Sequence, residues 1–190
     1  MPPRSRWAAA LSCVLLLELS LLLPRSDARW GMRPEDYDYI VVLDAGSTGT
    51  RAHVYKYSFS EGVPYPHVSL PEPQARISPG LLAYAHDPAG AGASLQPLLQ
   101  FAAVHVPEER QQYTPLLLAA TIKMRSLDAE TQGRILDSCH AYAKAESRFE
   151  TNRAWMSILS GRERGALGWL AVNFLQHRLV GMERHGWGTF

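Results

Sequence analysis

The chain has 190 residues, 46% of them hydrophobic, which is enough for one globular domain with a substantial core. Lysine and arginine total 19 against 18 acidic residues, a formal net charge of +1, and no long basic run occurs. The electrostatic footprint of a nucleic-acid binder is therefore absent, and the expected partners are small molecules or proteins.

At the amino terminus Arg4 and Arg6 precede an apolar stretch from Trp7 to Leu23, interrupted by Ser12, Glu18 and Ser20 and followed by the polar break Pro24-Arg25-Ser26-Asp27-Ala28. A charged start, an apolar centre and a polar break are the pattern of a secretory signal. The stretch is short for a membrane span and carries a carboxylate, so residues 1–28 are read as a cleaved signal peptide, with a retained signal anchor as the alternative. The expected location is the secretory pathway, meaning Golgi or ER lumen, the cell surface or the medium, and a membrane is a partner only if the segment stays as an anchor. Cys13 lies in this segment and leaves Cys139 alone in the remainder, so no intrachain disulfide is expected there. Neither Asn152 nor Asn173 begins an N-x-Ser/Thr sequon.

The next element is the most informative. Tyr39-Ile40-Val41-Val42-Leu43 reads as a buried strand that ends on Asp44 and turns at once into Ala45-Gly46-Ser47-Thr48-Gly49-Thr50-Arg51. Gly46 and Gly49 allow the backbone to bend so that successive N–H groups face an anion, while Ser47, Thr48 and Thr50 add hydroxyl donors. Asp44 at the strand end suits a hydrated metal ion or an ordered water. Ala52 to Tyr57 is a second β-rich run, so the loop joins two strands. The Walker loop and the dinucleotide fingerprint both require a helix after the glycines, and neither pattern is met. A strand–D-x-G-S/T–strand loop is the phosphate loop of actin, hexokinase and Hsp70; the plain alternative is an ordinary glycine-containing hairpin turn.

Ser58 to Pro79 is rich in proline and polar residues and reads as loops around one short strand at His67–Leu70. Asp87-Pro88 reads as an N-cap and first helical residue. Leu95, Leu98, Leu99 and Ala102 then share a helix face, with an irregularity at Pro97. Leu116 to Ala120 is a short buried strand, and Thr121 and Arg125 follow it at the end of the sheet where α/β folds place ligands. The plain reading of Arg125 is a solvated charge. Asp128 caps a helix in which Ile135, Leu136, Cys139 and Tyr142 share a face. Trp155 to Leu159 is a further strand, and Leu167, Leu170, Ala171 and Phe174 mark a last helix that carries Trp169 and Asn173 four residues apart. The order is β-β-β-α-β-α-β-α, without an internal repeat. The seven histidines show no metal-ligand spacing, so His53 and His140 are taken as non-ligands, and Cys139 as apolar filling.

Four segments in this order resemble the apyrase family, the nucleoside triphosphate diphosphohydrolases and Golgi-type nucleoside diphosphatases. They are Asp44 to Arg51; Pro79-Gly80-Leu81 with Tyr84-Ala85 and Asp87-Pro88; Thr114-Pro115 through Arg125; and Ser160-Gly161 through Phe174. The resemblance implies one actin/hexokinase/Hsp70-like (ribonuclease H-like) lobe over residues 39–180, a mixed α/β sheet with flanking helices. It also implies a second lobe that is missing here, which makes residues 181–190 the tail of a truncated chain. The implied reaction is attack of water on the terminal phosphate of a nucleoside di- or triphosphate chelated to Ca2+ or Mg2+ and held between two lobes. By the same resemblance Gly46, Ser47, Thr48 and Gly49, with Thr50 and Arg51, form the first phosphate cradle. Asp44 is the outer-sphere metal residue, and Thr121 positions water or phosphate.

Three departures point to impaired catalysis. Ile122 and Lys123 stand where the family has two small residues. Arg164 stands where the family has its catalytic base, and arginine cannot accept a proton. The nearest acid, Glu163, is one residue away and about 100° around a helix. Asp44 also begins the only D-x-G in the sequence, so no second phosphate loop is present. The alternatives are a non-catalytic nucleotide-binding or regulatory secretory protein, and a sugar-kinase or chaperone-like ATPase, against which the secretory start argues. The unpartnered lobe leaves a second lobe or a homo-oligomer as possible partners.

Overall fold

A computed structural model describes residues 37–59 and 66–176; the apolar start and the tail expected at 181–190 lie outside them. Two long strands open the fold, β1 (Asp38–Ala45) and β2 (Thr50–Ser58), paired antiparallel from Asp38↔Tyr57 to Ala45↔Thr50. Two short strands, β3 (His67–Val68) and β4 (Gln74–Ile77), share the outer edge of β2. A 3-10 turn at Leu81–Tyr84 and three helices follow, α1 (Gly90–Ala93), α2 (Gln96–His105) and α3 (Glu108–Gln111). The chain then re-enters the sheet as β5 (Pro115–Ala120), parallel to β1, passes through α4 (Ala129–Glu146) and ends the sheet with β6 (Glu150–Ile158), parallel to β5. The strand order is β3-β2-β1-β5-β6 with β4 also on β2, the mixed sheet with flanking helices that the sequence predicts. These elements belong to one compact unit; α5 (Gly161–Leu175) belongs to a second.

The central strands are the ones whose sequences are apolar on both faces. Ile40 to Leu43 and all six residues of β5 are buried, as expected of strands paired on both sides. On one face Val41, Leu43, Leu116 and Leu118 meet Leu98, Leu99 and Ala102 of α2 and Ile135, Leu136, Cys139 and Ala143 of α4 in a single apolar cluster. Burial of each such leucine stabilises the unit by roughly 1.5–3 kcal/mol. The start of α4 is fixed as expected: the Asp128 carboxylate accepts from Thr131 N at 2.8 Å and from Thr131 Oγ1 at 2.7 Å. These bonds hold its pKa below the ordinary value of 3.8.

Several boundaries differ from the sequence expectation. The strand near His67 ends at Val68, and β4 forms in a stretch expected to be loop. The helix expected after Asp87 is broken in two: Asp87 Oδ1 does accept from Gly90 N at 3.2 Å, but α1 ends at Ala93, and Pro97 falls in the first turn of a new helix, where its missing N–H costs nothing. The strand expected at Trp155 begins at Glu150. Its first half is polar because β6 bulges there: Leu116 faces Thr151 but Leu118 faces Met156, and Asn152 Oδ1 accepts from Ala154 N at 2.9 Å. His53 lies on β2. It is buried, with Nδ1 2.9 Å from the buried Glu72 carboxylate and its ring stacked on Tyr55.

Candidate functional site

The parallel strands β1, β5 and β6 end side by side at Ala45, Ala120 and Ile158, where β1 continues into the loop Gly46–Gly49 and β5 into a 3-10 helix, Ile122–Ser126. Crevices at the carboxyl ends of such strands are where α/β sheets bind ligands. Thr121 N donates to Ala45 O at 3.0 Å, so the residue after β5 is tied to the residue that opens the loop. Thr121 Oγ1 is buried and without a hydrogen-bond partner among the described residues, which leaves a hydroxyl available at this point. Arg125 is exposed, and its Nη2 donates to Ile158 O at 3.4 Å, reaching from the end of β5 to that of β6. Lys123 is exposed on the same 3-10 turn.

The loop is shaped from outside by the β4 segment. Ser78 Oγ donates to Thr48 O at 3.1 Å, and Arg76 Nη2 donates to Thr48 Oγ1 at 3.0 Å and Thr48 O at 3.4 Å. Gly80 lies so close behind the loop that a Cβ there would stand 2.2 Å from Gly46 O and 2.9 Å from Gly49 N. Gly49 in turn presses on β4, where a Cβ would stand 2.9 Å from Arg76 Nε. The two glycine segments quoted from the sequence, 44–51 and 79–81, are thus one packed unit, held by backbone approach that any side chain would block.

The sequence-predicted residues divide into three groups. Asp44, Gly46, Ser47, Thr48, Gly49 and Thr121 come together at this edge, with Asp44 half-buried, Thr48 exposed and Gly49 buried. Thr50 and Arg51 lie on β2 instead of on the loop. Thr50 is fully buried, its Oγ1 without a hydrogen-bond partner among the described residues, and Arg51 is cross-strand neighbour to Asp44 on one side and Arg76 on the other. Glu163 and Arg164 lie in the first turn of α5, in the other compact unit. Arg164 is half-buried, and its Nε has no hydrogen-bond partner among the described residues. On the same helix Asn173 Nδ2 donates to Trp169 O at 2.8 Å, and Trp169 is exposed.

Arg76 and Ser78 were not among the expected site residues. Their signal in the sequence is faint: Gln74-Ala75-Arg76-Ile77 alternates polar and apolar for only four residues between prolines. Among the described residues no group of three or more His, Cys, Asp or Glu side chains gathers as a metal site. Asp44 is the only acidic residue in the segments 44–51, 76–80 and 119–126. That donor set fits Ca2+ or Mg2+ carried in on phosphate oxygens and water, with one carboxylate and the unpartnered Thr121 hydroxyl beside it, and does not fit an all-protein cage.

Residues 31–184 match the model of the GDA1/CD39 (nucleoside phosphatase) family. Among curated proteins the chain is 38% identical over 170 residues to an apyrase of Solanum tuberosum, covering 87% of this chain and 37% of the relative. It is 35% identical over 150 residues to a guanosine-diphosphatase of Candida albicans, covering 78% of this chain and 24% of that protein. It is 35% identical over 169 residues to ectonucleoside triphosphate diphosphohydrolase 8 of Gallus gallus, covering 89% and 34%. The chain thus spans about a quarter to two-fifths of the length of these relatives. A crystal structure of nucleoside triphosphate hydrolases from Neospora caninum superposes with a TM-score of 0.56 over 86% of this chain and 35% of that one; at 19% identity this likeness concerns the fold.

Proposed function

The chain belongs to the GDA1/CD39 (nucleoside phosphatase) family, and we propose that its described α/β unit is a phosphate-binding lobe for a nucleoside di- or triphosphate accompanied by Ca2+ or Mg2+. The observation that carries this reading is the Gly46–Gly49 loop at the carboxyl end of β1, buttressed by Gly80 and by the Arg76 and Ser78 hydrogen bonds to Thr48. In this reading the loop amides and the Ser47 and Thr48 hydroxyls donate to phosphate oxygens, and Thr121 Oγ1 donates to phosphate or holds water. Asp44 holds the cation through water. When bound, the cation neutralises charge on the phosphate oxygens.

Hydrolysis by this chain is weak in the same reading. The Arg164 guanidinium cannot take a proton from water, and Glu163 occupies a helix position about 100° away. Lys123 sets an exposed cation on the 3-10 turn after β5 where the resembling family has a small residue, which favours anion binding over close approach of the reacting phosphate. A nucleotide-binding or regulatory role is the second reading, and Arg164 is the residue that favours it. From the Arg-flanked apolar start we also infer entry into the secretory pathway.

Calorimetric titration of the chain with ADP, GDP and UDP in magnesium tests the binding step. Saturable binding that is lost in Asp44→Ala supports it, and absence of binding by all three nucleotides refutes it. Phosphate release measured on the same samples separates the two readings: turnover well above background favours an enzyme, and binding without turnover favours a regulatory protein.

A further inference from the structure

One rung of the sheet crosses the base of the loop: Ala119 of β5, Asp44 of β1, Arg51 of β2 and Arg76 of β4 are successive cross-strand partners. Residues paired in this way share a face and stand close together. Arg51 and Arg76 are therefore like charges directly opposite each other, an arrangement that opposes folding unless something offsets it. Asp44 is the single carboxylate of the rung, and among the described residues neither arginine forms an ion pair with a carboxylate. The rung carries one more positive than negative charge, directly under a loop built to face an anion.

Arg76 also has a defined mechanical contact. Its guanidinium lies along Gly49 and gives its Nη2 to Thr48 Oγ1 and Thr48 O, while Ser78 holds the same carbonyl. Because the Thr48 oxygen accepts this bond, its hydroxyl proton is left to point elsewhere, as a donor. Because the Thr48 carbonyl is drawn towards β4, the N–H of the same planar peptide unit, that of Gly49, is turned the opposite way. Arg76 thereby fixes the orientation of the Thr48 hydroxyl and, together with Ser78, that of the Gly49 amide.

We propose that Arg76 is a positioning residue of the phosphate loop: acting through Thr48, it presets the loop for phosphate, and with Arg51 it supplies the positive charge that a di- or triphosphate offsets. This rests on the phosphate-loop reading above and goes beyond it, because neither the cradle motif nor the family match assigns β4 a part in binding. It also accounts for a short polar edge strand bearing an arginine opposite another arginine, which sheet stability alone disfavours.

The test is a double-mutant cycle on the affinity of the full chain for magnesium ADP. Arg76→Met and Thr48→Val are each expected to weaken binding about tenfold, the scale of a hydrogen bond to a charged group. The double variant is expected to lose clearly less than the sum of the two single losses, since both break the same link while the Arg76 charge and the Thr48 hydroxyl each also act on the phosphate. Arg76→Lys, which restores charge without the planar guanidinium that reaches Thr48, is expected to recover only part of the loss. Additive losses, or an Arg76→Met variant that binds like the wild type, overturn the proposal. Amide hydrogen exchange of the nucleotide-free chain is the second readout: Arg76→Met is expected to speed exchange at Thr48 and Gly49 while α4 is unchanged, and unchanged loop exchange overturns the proposal. If the wild type binds no ADP, the phosphate-loop reading itself fails, and the exchange measurement decides the positioning role alone.

Discussion

Gly80→Ala is the sharpest perturbation of the site that leaves every loop residue in place. An added Cβ would stand 2.2 Å from Gly46 O, 2.9 Å from Gly49 N and 3.0 Å from the Ser47 carbonyl carbon, all of them backbone atoms. No rotamer change can relieve such a clash, so the loop or the Gly80 segment must retreat by roughly an ångström, and overpacking of this kind costs about 1–3 kcal/mol. In a chain of this size that is a fall in Tm of roughly 2–12 °C. A displacement of about 1 Å at a preorganised site costs up to about a hundredfold in function, so nucleotide affinity is expected to fall far more than stability alone explains. Gly133→Ala is the control: a Cβ there meets nothing within 4 Å, and the residue sits within α4, where alanine is favoured by up to about 1 kcal/mol. Thermal unfolding and ADP titration of both variants decide the matter. A Gly80→Ala chain with wild-type Tm and wild-type affinity would refute the packing of the two glycine segments.

Further outcomes follow from named groups. Burial pushes the Cys139 thiol from its ordinary 9.0 up to about 12, with Arg153 opposing. The unfolded thiol then ionises first, and stability falls as pH rises from about 9 towards 12; Cys139→Ala removes this alkaline slope in denaturant titrations, and an unchanged slope refutes it. The lowered pKa of Asp128 works at the other end: its stabilisation is present above the unfolded value and lost as pH falls through the folded one. Asp128→Ala is therefore expected to lower Tm at neutral pH and to have no effect in strong acid, and an equal loss at both would contradict the cap. His53 and Glu72 are a buried hydrogen-bonded pair, and Glu72→Ala is expected to cost about 1–3 kcal/mol in equilibrium unfolding by leaving His53 Nδ1 without a partner. Arg164→Glu is expected to leave phosphate release from ADP, UDP or ATP near background, because Ile122 and Lys123 still stand where the resembling family has small residues; strong turnover by this single variant would refute that.

The elements legible in the sequence are those whose pattern has one physical cause. Ile40 to Leu43 and Leu116 to Leu118 are apolar without interruption because β1 and β5 are buried on both faces, and Asp128 announces α4 because a helix start needs an acceptor. The loop at Gly46–Gly49 was legible for the same reason, as backbone freedom and hydroxyl donors rarely coincide after an acidic strand end. What escaped the sequence depends on partners distant along the chain. β4 is too short and too polar to show a period, and exists because Thr50 to His53 offer it an edge. The break at Ser94 and Leu95 divides α1 from α2, whose shared apolar face gives no hint of it. The buttress of Thr48 by Arg76 and Ser78 spans about thirty residues and leaves no local trace.

The central claim is that the Gly46–Gly49 loop receives the phosphates of a nucleotide. Titration of the isotopically labelled chain with magnesium ADP, followed by amide NMR, tests it most directly. The account predicts saturable shifts that are largest at Gly46, Ser47, Thr48 and Gly49, extend to Thr121 through its bond to Ala45, and are absent from the exposed surface of α4. Saturable binding with its largest shifts elsewhere, or no shifts at millimolar nucleotide, would contradict it.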